Sequence, residues 1–331
     1  MSNIRQTAII LNHIENIKGL CTKTGLLQSL RRYYKSSIEM MLANYNIHKS
    51  IPSTFIALPN CQDAEYQSFI KCFNEIEQGK YKKCKIPSKH CTDNVWLIKP
   101  AALNQGKGIE IFKNDLAGMK KFLESKPTNS YWIIQKYIER PLLYYGRKLD
   151  IRVWTLLTSK KEVYYYTHGY IRTSSNEYSL NTKRLNVHLT NNCLQQLEDD
   201  YGLFEEGNTI EFGAFKEYLR QKYGKYQLDF ERDIIERIKD LIIDSYFAVK
   251  SEINPNKRKN SFELLGYDFL IDEDFRVWLI EVNSNPYLGL PNKFIEGLLP
   301  KMLNDLFELV IDPYIKVSNT LPERSIWFCV Q

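Results

Sequence analysis

Two apolar stretches constrain this chain more than any other feature: Phe262–Ile271 (FELLGYDFLI) and Val277–Asn283 (VWLIEVN), separated by five mostly polar residues. Their aromatic and β-branched content and the short connection predict an antiparallel hairpin. Side chains alternate along a strand, so Glu281 and Asn283 share one face. With the turn centred near Asp274–Phe275, Asp268 falls opposite Glu281. Two carboxylates facing each other among apolar neighbours repel, and they are costly to desolvate unless a cation joins them. The plainer reading is that Asp268 and Glu281 cap or edge the hairpin. Both lie within the strands, however, and a third oxygen ligand, Asn283, is beside them. The reading favoured is a Mg²⁺ site, since that ion takes hard oxygen ligands and shares its shell with phosphates.

A second constellation is Arg147-Lys148-Leu149-Asp150-Ile151-Arg152-Val153-Trp154. Lys148, Asp150 and Arg152 alternate with Leu149, Ile151 and Val153, giving one charged and one apolar face. Strands at Leu149–Thr158 and Glu162–Arg172 read as a hairpin around Lys160–Lys161, which brings Arg172 opposite Lys148 or Leu149. Three cations and a carboxylate on one sheet face match triphosphate oxygens; the alternative is an exposed amphipathic strand. Weaker signals precede and follow. Trp96-Leu97-Ile98-Lys99-Pro100 leads to Gly106-Lys107-Gly108, a Gly-x-Gly loop suited to phosphate but also to an ordinary turn, and not a Walker loop. Gln135-Lys136-Tyr137-Ile138 ends a buried strand and has backbone groups to offer an adenine, or simply packs. His188-Leu189-Thr190-Asn191-Asn192 places short polar groups in a loop, with His188 alone more often a structural histidine.

Around these segments the chain reads as α+β, with hairpins interleaved with helices. Leu20, Leu26, Leu27 and Leu30, then Ile38, Met41 and Leu42, recur at helical spacing over the first 50 residues. Further helices are expected over 63–78, 215–221, 230–250 and 294–310. Strands are expected at 53–56, 95–99, 108–112 and 131–137, and Gly79–Thr92 reads as a lysine-rich loop. No apolar run among the 331 residues approaches a bilayer span, and the start lacks a signal peptide's apolar core, so a cytosolic protein with no membrane partner is expected. Seven cysteines without a CxxC pair read as reduced thiols, and the spacing of Cys84, His90 and Cys91 fits no common zinc pattern. The net charge of +6 is spread, with basic stretches at Lys80–Lys85 and Lys257–Lys259. No nucleic-acid motif accompanies it, which leaves an acidic protein as the better partner.

Taken in order, these segments resemble the tubulin-tyrosine ligase family. The resemblance begins with Leu11-Asn12-His13 and Lys23-Thr24-Gly25-Leu26 and runs to Glu281-Val282-Asn283-Ser284-Asn285-Pro286. It implies an ATP-grasp fold with the nucleotide between central and C-terminal α+β domains. The corresponding units are an N-terminal helical domain over 1–58, a central domain over 59–140 and a C-terminal domain with the metal site over 141–331. It implies an ATP- and Mg²⁺-dependent ligase that adds an amino acid (glutamate, tyrosine or glycine) to a carboxylate of a tubulin C-terminal tail through an acyl phosphate. By that resemblance Asp268, Glu281 and Asn283 match metal ligands. Lys99, Lys107, Lys148, Asp150, His188, Thr190 and Asn191 match nucleotide contacts, and Gln135, Lys136, Tyr137 and Ile138 the adenine hinge. Arg152, Arg172 and Glu281 match the catalytic positions. A monomer acting in the cytoplasm, at microtubules or cilia, is expected. The segment Asp200–Asn208 is similar to tyrosine ligase itself, whereas Asn283–Leu288 is closer to polyglutamylases and glycylases. Two further expectations stand beside the leading one: a catalytically weak tubulin-binding pseudoenzyme, and a ligase for another acidic tail.

Overall fold

The computed structural model describes residues 9–37, 47–315 and 327–330. Within them the chain is a mixed α+β protein built on two antiparallel sheets. Two N-terminal helices come first, α1 (Lys18–Cys21) and α2 (Lys23–Ser36). Thr22 caps α2 by accepting from the Gly25 amide, and Leu26, Leu27, Leu30 and Tyr34 form its buried stripe. The further helical positions Ile38, Met41 and Leu42 lie outside the described residues.

The smaller sheet contains β1 (Thr54–Ala57), β2 (Val95–Pro100), β3 (Glu110–Lys113) and β4 (Trp132–Lys136), in the order β1-β4-β2-β3. Two helices cover one face. In α3 (Ala64–Glu77), capped by Asp63, Tyr66, Phe69, Phe73 and Ile76 recur at helical spacing and are buried. The second, α4 (Leu116–Glu124), is capped by Asp115 and buries Met119 and Leu123. Both meet Trp96, Ile98 and Ile134 in a common core, where the Phe69 and Trp96 rings lie 5.0 Å apart, edge to face. Strand alternation then turns Leu97, Lys99 and Gln135 to the opposite face.

The larger sheet is organised on β6 (Arg147–Thr158), preceded by the short β5 (Leu143–Tyr144). One side of β6 pairs over residues 151–158 with β10 (Phe262–Ile271), which in turn pairs with β11 (Val277–Asn283). The other side takes two partners, β7 (Val163–Tyr166) and β8 (Tyr170–Glu177), and β8 carries β9 (Thr209–Glu211). Leu149, Ile151 and Val153 point into a core completed by α2, α7 (Phe212–Tyr223) and α8 (Glu236–Phe247); α5 (Leu185–His188) and α6 (Asn192–Gln195) lie in the loop before β9. Along the opposite face, Trp154 and Leu156 are covered by α9 (Lys293–Val310). After α10 (Asp312–Ile315), β12 (Trp327–Cys329) pairs with β7.

Three expectations need correction. The second arm of the hairpin is not one strand: it breaks at residues 167–169, and the register beyond the break shifts by two residues. Arg172 therefore stands opposite Asp150 rather than Lys148 or Leu149. Gly169 permits the break, because a Cβ there would lie 2.5 Å from the Arg152 carbonyl and from the Phe212 ring. The helix expected over 230–250 starts as a π-helical turn at Phe230–Ile235 and continues as α8 only to Phe247. The helix α4 and the strand β12 were not foreseen. No helix among the described residues is long and apolar enough to cross a membrane.

Candidate functional site

The face of β6 that carries Lys148, Asp150 and Arg152 is nearly as buried as its apolar face: these residues are 3%, 8% and 6% exposed. That excludes an exposed amphipathic strand. Lys148 and Asp150 face a cleft between the two sheets, whose other wall carries Leu97, Lys99 and Gln135.

Register brings the charged groups into one row across neighbouring strands. Glu281 of β11 is paired with Asp268 of β10, as the spacing of the hairpin predicts. Asp268 is paired in turn with Arg152 of β6, and Asp150 with Arg172 of β8. Side-chain contacts follow the register. Arg152 holds Asp268 through two hydrogen bonds, Nη2 to Oδ2 at 2.9 Å among them. Arg172 Nε donates to Asp150 Oδ1 at 2.7 Å, and its Nη2 lies 3.0 Å from Asp268 Oδ2. Asn283 Nδ2 approaches Glu281 Oε1 at 3.3 Å and Asp268 Oδ2 at 3.5 Å.

The two carboxylates are therefore shifted in opposite directions. Burial works against ionisation of Asp268, but the guanidiniums of Arg152 and Arg172 more than offset it and hold the acid well below its usual range. Burial pushes Glu281 up, and the neighbouring Asp268 charge adds to that; Lys99 and Lys23 oppose it from a distance. Among the described residues Glu281 forms no ion pair. A buried carboxylate beside another, with the Asn283 side-chain amide close by, is a donor set that fits a divalent cation.

The lysines present the complementary situation. Lys99 Nζ donates to the Gln135 amide oxygen at 2.8 Å, and burial brings it down to about 8. Lys148 Nζ donates to the Tyr137 hydroxyl (2.9 Å) and the His188 carbonyl (2.7 Å). Burial brings it to about 7, with Asp150 opposing and Lys99 adding to the shift. Two buried amines bonded only to neutral groups fit a polyanion, which would favour their charged forms.

The remaining expected residues divide. Ile138, Thr190 and Asn191 border the cleft, and the exposed Lys107 stands at its mouth between Gly106 and Gly108, whose φ values of +75° and +71° make the turn. The Lys136 amine is turned away, buried on the Glu139 carboxylate and the Val95 carbonyl, so its charge does not serve the cleft. His188 is saturated: Nε2 binds the Thr182 carbonyl at 2.8 Å and Nδ1 the Tyr137 hydroxyl at 2.9 Å. Burial brings His188 down to about 4, and its imidazole supports Tyr137, which supports Lys148. Sequence reasoning gave no chemical role to Lys23 or to the Tyr137 hydroxyl. Lys23 enters the cleft wall from α2, where burial lowers its pKa against the pull of Glu281. Only its place in Lys23-Thr24-Gly25-Leu26 marked it.

Comparison with known proteins gives the family. The model of the tubulin-tyrosine ligase family matches residues 2–320. Tubulin glycylase 3A of Drosophila melanogaster is 39% identical over 229 residues, covering 66% of this chain and 22% of the relative. Tubulin glycylase 3C of Tetrahymena thermophila is 39% identical over 242 residues, covering 70% of this chain and 22% of the relative. A protein of the same organism named "Probable alpha-tubulin polyglutamylase" is 30% identical over 324 residues, covering 91% of this chain and 72% of the relative. The chain thus spans about a fifth of the length of the glycylases it matches. With the match running from residue 2 to residue 320, through both walls of the cleft, the chain belongs to the tubulin-tyrosine ligase family.

Proposed function

We propose that this protein is an ATP- and Mg²⁺-dependent ligase that joins an amino acid to a carboxylate of a tubulin C-terminal tail, with the nucleotide held between the two sheets in an ATP-grasp arrangement. The observation that carries the reading is the convergence of Lys99, Lys148 and Arg172 with Asp150, Asp268 and Glu281 in one cleft, with Arg152 held on Asp268 beside it. Tubulin is taken from the names of the relatives, which are tubulin glycylases and polyglutamylases.

The chemistry needs no covalent nucleophile from the protein. The acceptor carboxylate attacks the terminal phosphorus of ATP, and an acyl phosphate and ADP result. The donor ammonium loses a proton, and its amine attacks the acyl carbon. A C–N bond forms as the C–O bond to phosphate breaks; phosphate leaves with one proton and a second goes to solvent. Lys99 and Lys148 would hold phosphate oxygens, and Arg152 and Arg172 would face the charge that develops at the acyl phosphate. Magnesium held by Asp268, Glu281 and Asn283 would supply charge neutralisation at the phosphoryl oxygens. The protein's part is positioning and fixed charge. A tubulin-binding pseudoenzyme has no chemical use for the buried pair Asp268 and Glu281, which disfavours that alternative.

Thermal unfolding of the full chain with and without ATP and Mg²⁺ tests the nucleotide reading. At a hundred times Kd, ligand binding should raise Tm by roughly 5 °C. No shift, or a shift indifferent to Mg²⁺, would contradict it.

A further inference from the structure

A cavity of about 620 Å³ lies apart from the nucleotide cleft, bordered by α2, the segment 47–55, α3 and residues 83–85. Cys72, Glu75 and Cys84 line it together. The sequence separates the two cysteines by a helix end and a turn, and the fold closes that distance. At the end of α3, Gly79 takes φ +70° and the Lys80 amide donates to the Glu75 carbonyl at 2.6 Å, so the chain reverses. The helical turn Tyr81–Cys84 then brings the second thiol back to the helix that carries the first. We propose that Cys72 and Cys84 are an oxidisable dithiol, which a hydroperoxide converts into a disulfide that ties the lysine-bearing turn at 81–85 to α3. The inference does not depend on the ligase reading.

Contact is the first argument. Cys84 Sγ lies 3.7 Å from the Cys72 carbonyl and is in hydrogen-bond contact with the Cys72 thiol. Cysteines can be bridged without backbone movement only where their side chains already meet. The next thiol along the chain, Cys91, is buried with its Sγ 3.6 Å from the Pro87 carbonyl and does not line the cavity. Access is the second argument. Cys72 is buried and Cys84 half-buried, but the cavity that both line runs out past the exposed Lys71, Lys83 and Lys85, which opens it to a molecule as small as hydrogen peroxide.

The third argument is a base beside the pair. Glu75 Oε2 lies 3.0 Å from Cys84 Sγ. The hydrogen bond to Cys72, burial and the hydrogen bond to Glu75 push the Cys84 thiol well up, which leaves Cys72 as the sulfur oxidised first. There an S–O bond forms as the peroxide O–O bond breaks, and the departing hydroxide takes the thiol proton as water. The Cys84 sulfur then attacks the sulfenic sulfur while its proton passes to the Glu75 carboxylate. The S–S bond forms, the S–O bond breaks, and the leaving hydroxide takes that proton as a second water. Two electrons pass from the two thiols to the peroxide.

The test uses the full chain, reduced and then exposed to hydrogen peroxide, with free thiols blocked and peptides mapped without reduction. Two of the seven thiols should be lost to alkylation, in a peptide pair that joins Cys72 to Cys84, and dithiothreitol should restore both. Cys84→Ser should abolish the linked pair, and Cys84→Ala repeats the measurement should the serine variant fail to fold. The turn itself gives a second reading. Trypsin cuts after lysine, and the oxidised chain should be cut at Lys82 and Lys83 about threefold or more slowly than the reduced chain, a difference that Cys84→Ser removes. Oxidation confined to single cysteines, a linkage through any other cysteine, or equal cleavage of the oxidised and reduced chains overturns the proposal.

Discussion

Lys148 is the residue at which burial and function meet most sharply. It lies 3% exposed on β6, bonded to a hydroxyl and a carbonyl, with its pKa brought to about 7. The unfolded chain keeps a lysine charged up to about 10.4, so between pH 7 and 10 the unfolded state binds the extra proton. This group alone therefore makes the protein free of nucleotide more stable as pH rises through that window. Binding of the proposed nucleotide should have the opposite slope, because a triphosphate favours the charged amine. ATP affinity should fall by up to about tenfold per pH unit above 7, and Lys148→Met should weaken binding about tenfold at neutral pH while flattening that dependence. Calorimetric titrations at several pH values check this. An unchanged profile in the variant would place the triphosphate away from Lys148. Lys148 was legible in the sequence because it alternates with apolar residues. The hydrogen-bonded support from Tyr137 and His188 was not, since it joins residues 51 positions apart.

At the scale of elements, the two hairpins show what strand patterning can and cannot deliver. The turn between β10 and β11 is short, so residue spacing alone places Asp268 opposite Glu281. The hairpin from β6 onward misleads because its return arm breaks at Gly169 and shifts by two residues, which is what pairs Arg172 with Asp150. The break depends on the absence of a side chain where Arg152's carbonyl and the Phe212 ring close in. Gly169→Ala must move β8 or β6 to relieve a 2.5 Å contact, at a cost of about 1–3 kcal/mol. Denaturant unfolding measures the loss. The variant should also bind ATP more weakly, since Arg172 rides on β8; parental stability would show that the strands yield without strain. The unforeseen β12 pairs Trp327 with Tyr166, a partner 161 residues away, and a three-residue strand offers too little pattern to read. The helix α4 was missed although Asp115 caps it, because its nine residues contain a glycine at position 118.

Over the whole molecule, the two sheets are tied together by buried polar contacts flanking the cleft. Asp272, at the end of the β10–β11 hairpin, accepts from His90 Nε2 at 3.1 Å and from Trp278 Nε1 at 3.2 Å. His90 belongs to the segment leading into β2, so this contact fixes one wall of the cleft against the other. The same segment presents Lys82, Lys83 and Lys85 to solvent, and none of them forms an ion pair among the described residues. That surface suits an acidic tail attracted at long range, and such attraction is screened over about 8 Å at physiological salt. The Michaelis constant for tubulin should rise as salt rises through a few tenths molar, and reversing all three lysine charges should raise it at low salt. ATP affinity, set in the enclosed cleft, should change less in both cases. A tubulin constant indifferent to salt and to the triple reversal would point to an apolar docking surface instead.

The proposed role of the carboxylate pair in amide-bond formation can be measured as ATP-dependent incorporation of labelled amino acid into tubulin, with the parent compared against Glu281→Gln. Burial and Asp268 both push Glu281 up, so a neutral isostere should leave Tm equal or slightly higher. The parent should incorporate label only with ATP and Mg²⁺, at a glutamate carboxylate of the tail by mass-mapping. The folded variant should be slower by about a hundredfold or more, on the scale of a lost transition-state charge contact. Near-parental incorporation by a folded Glu281→Gln protein would contradict that role.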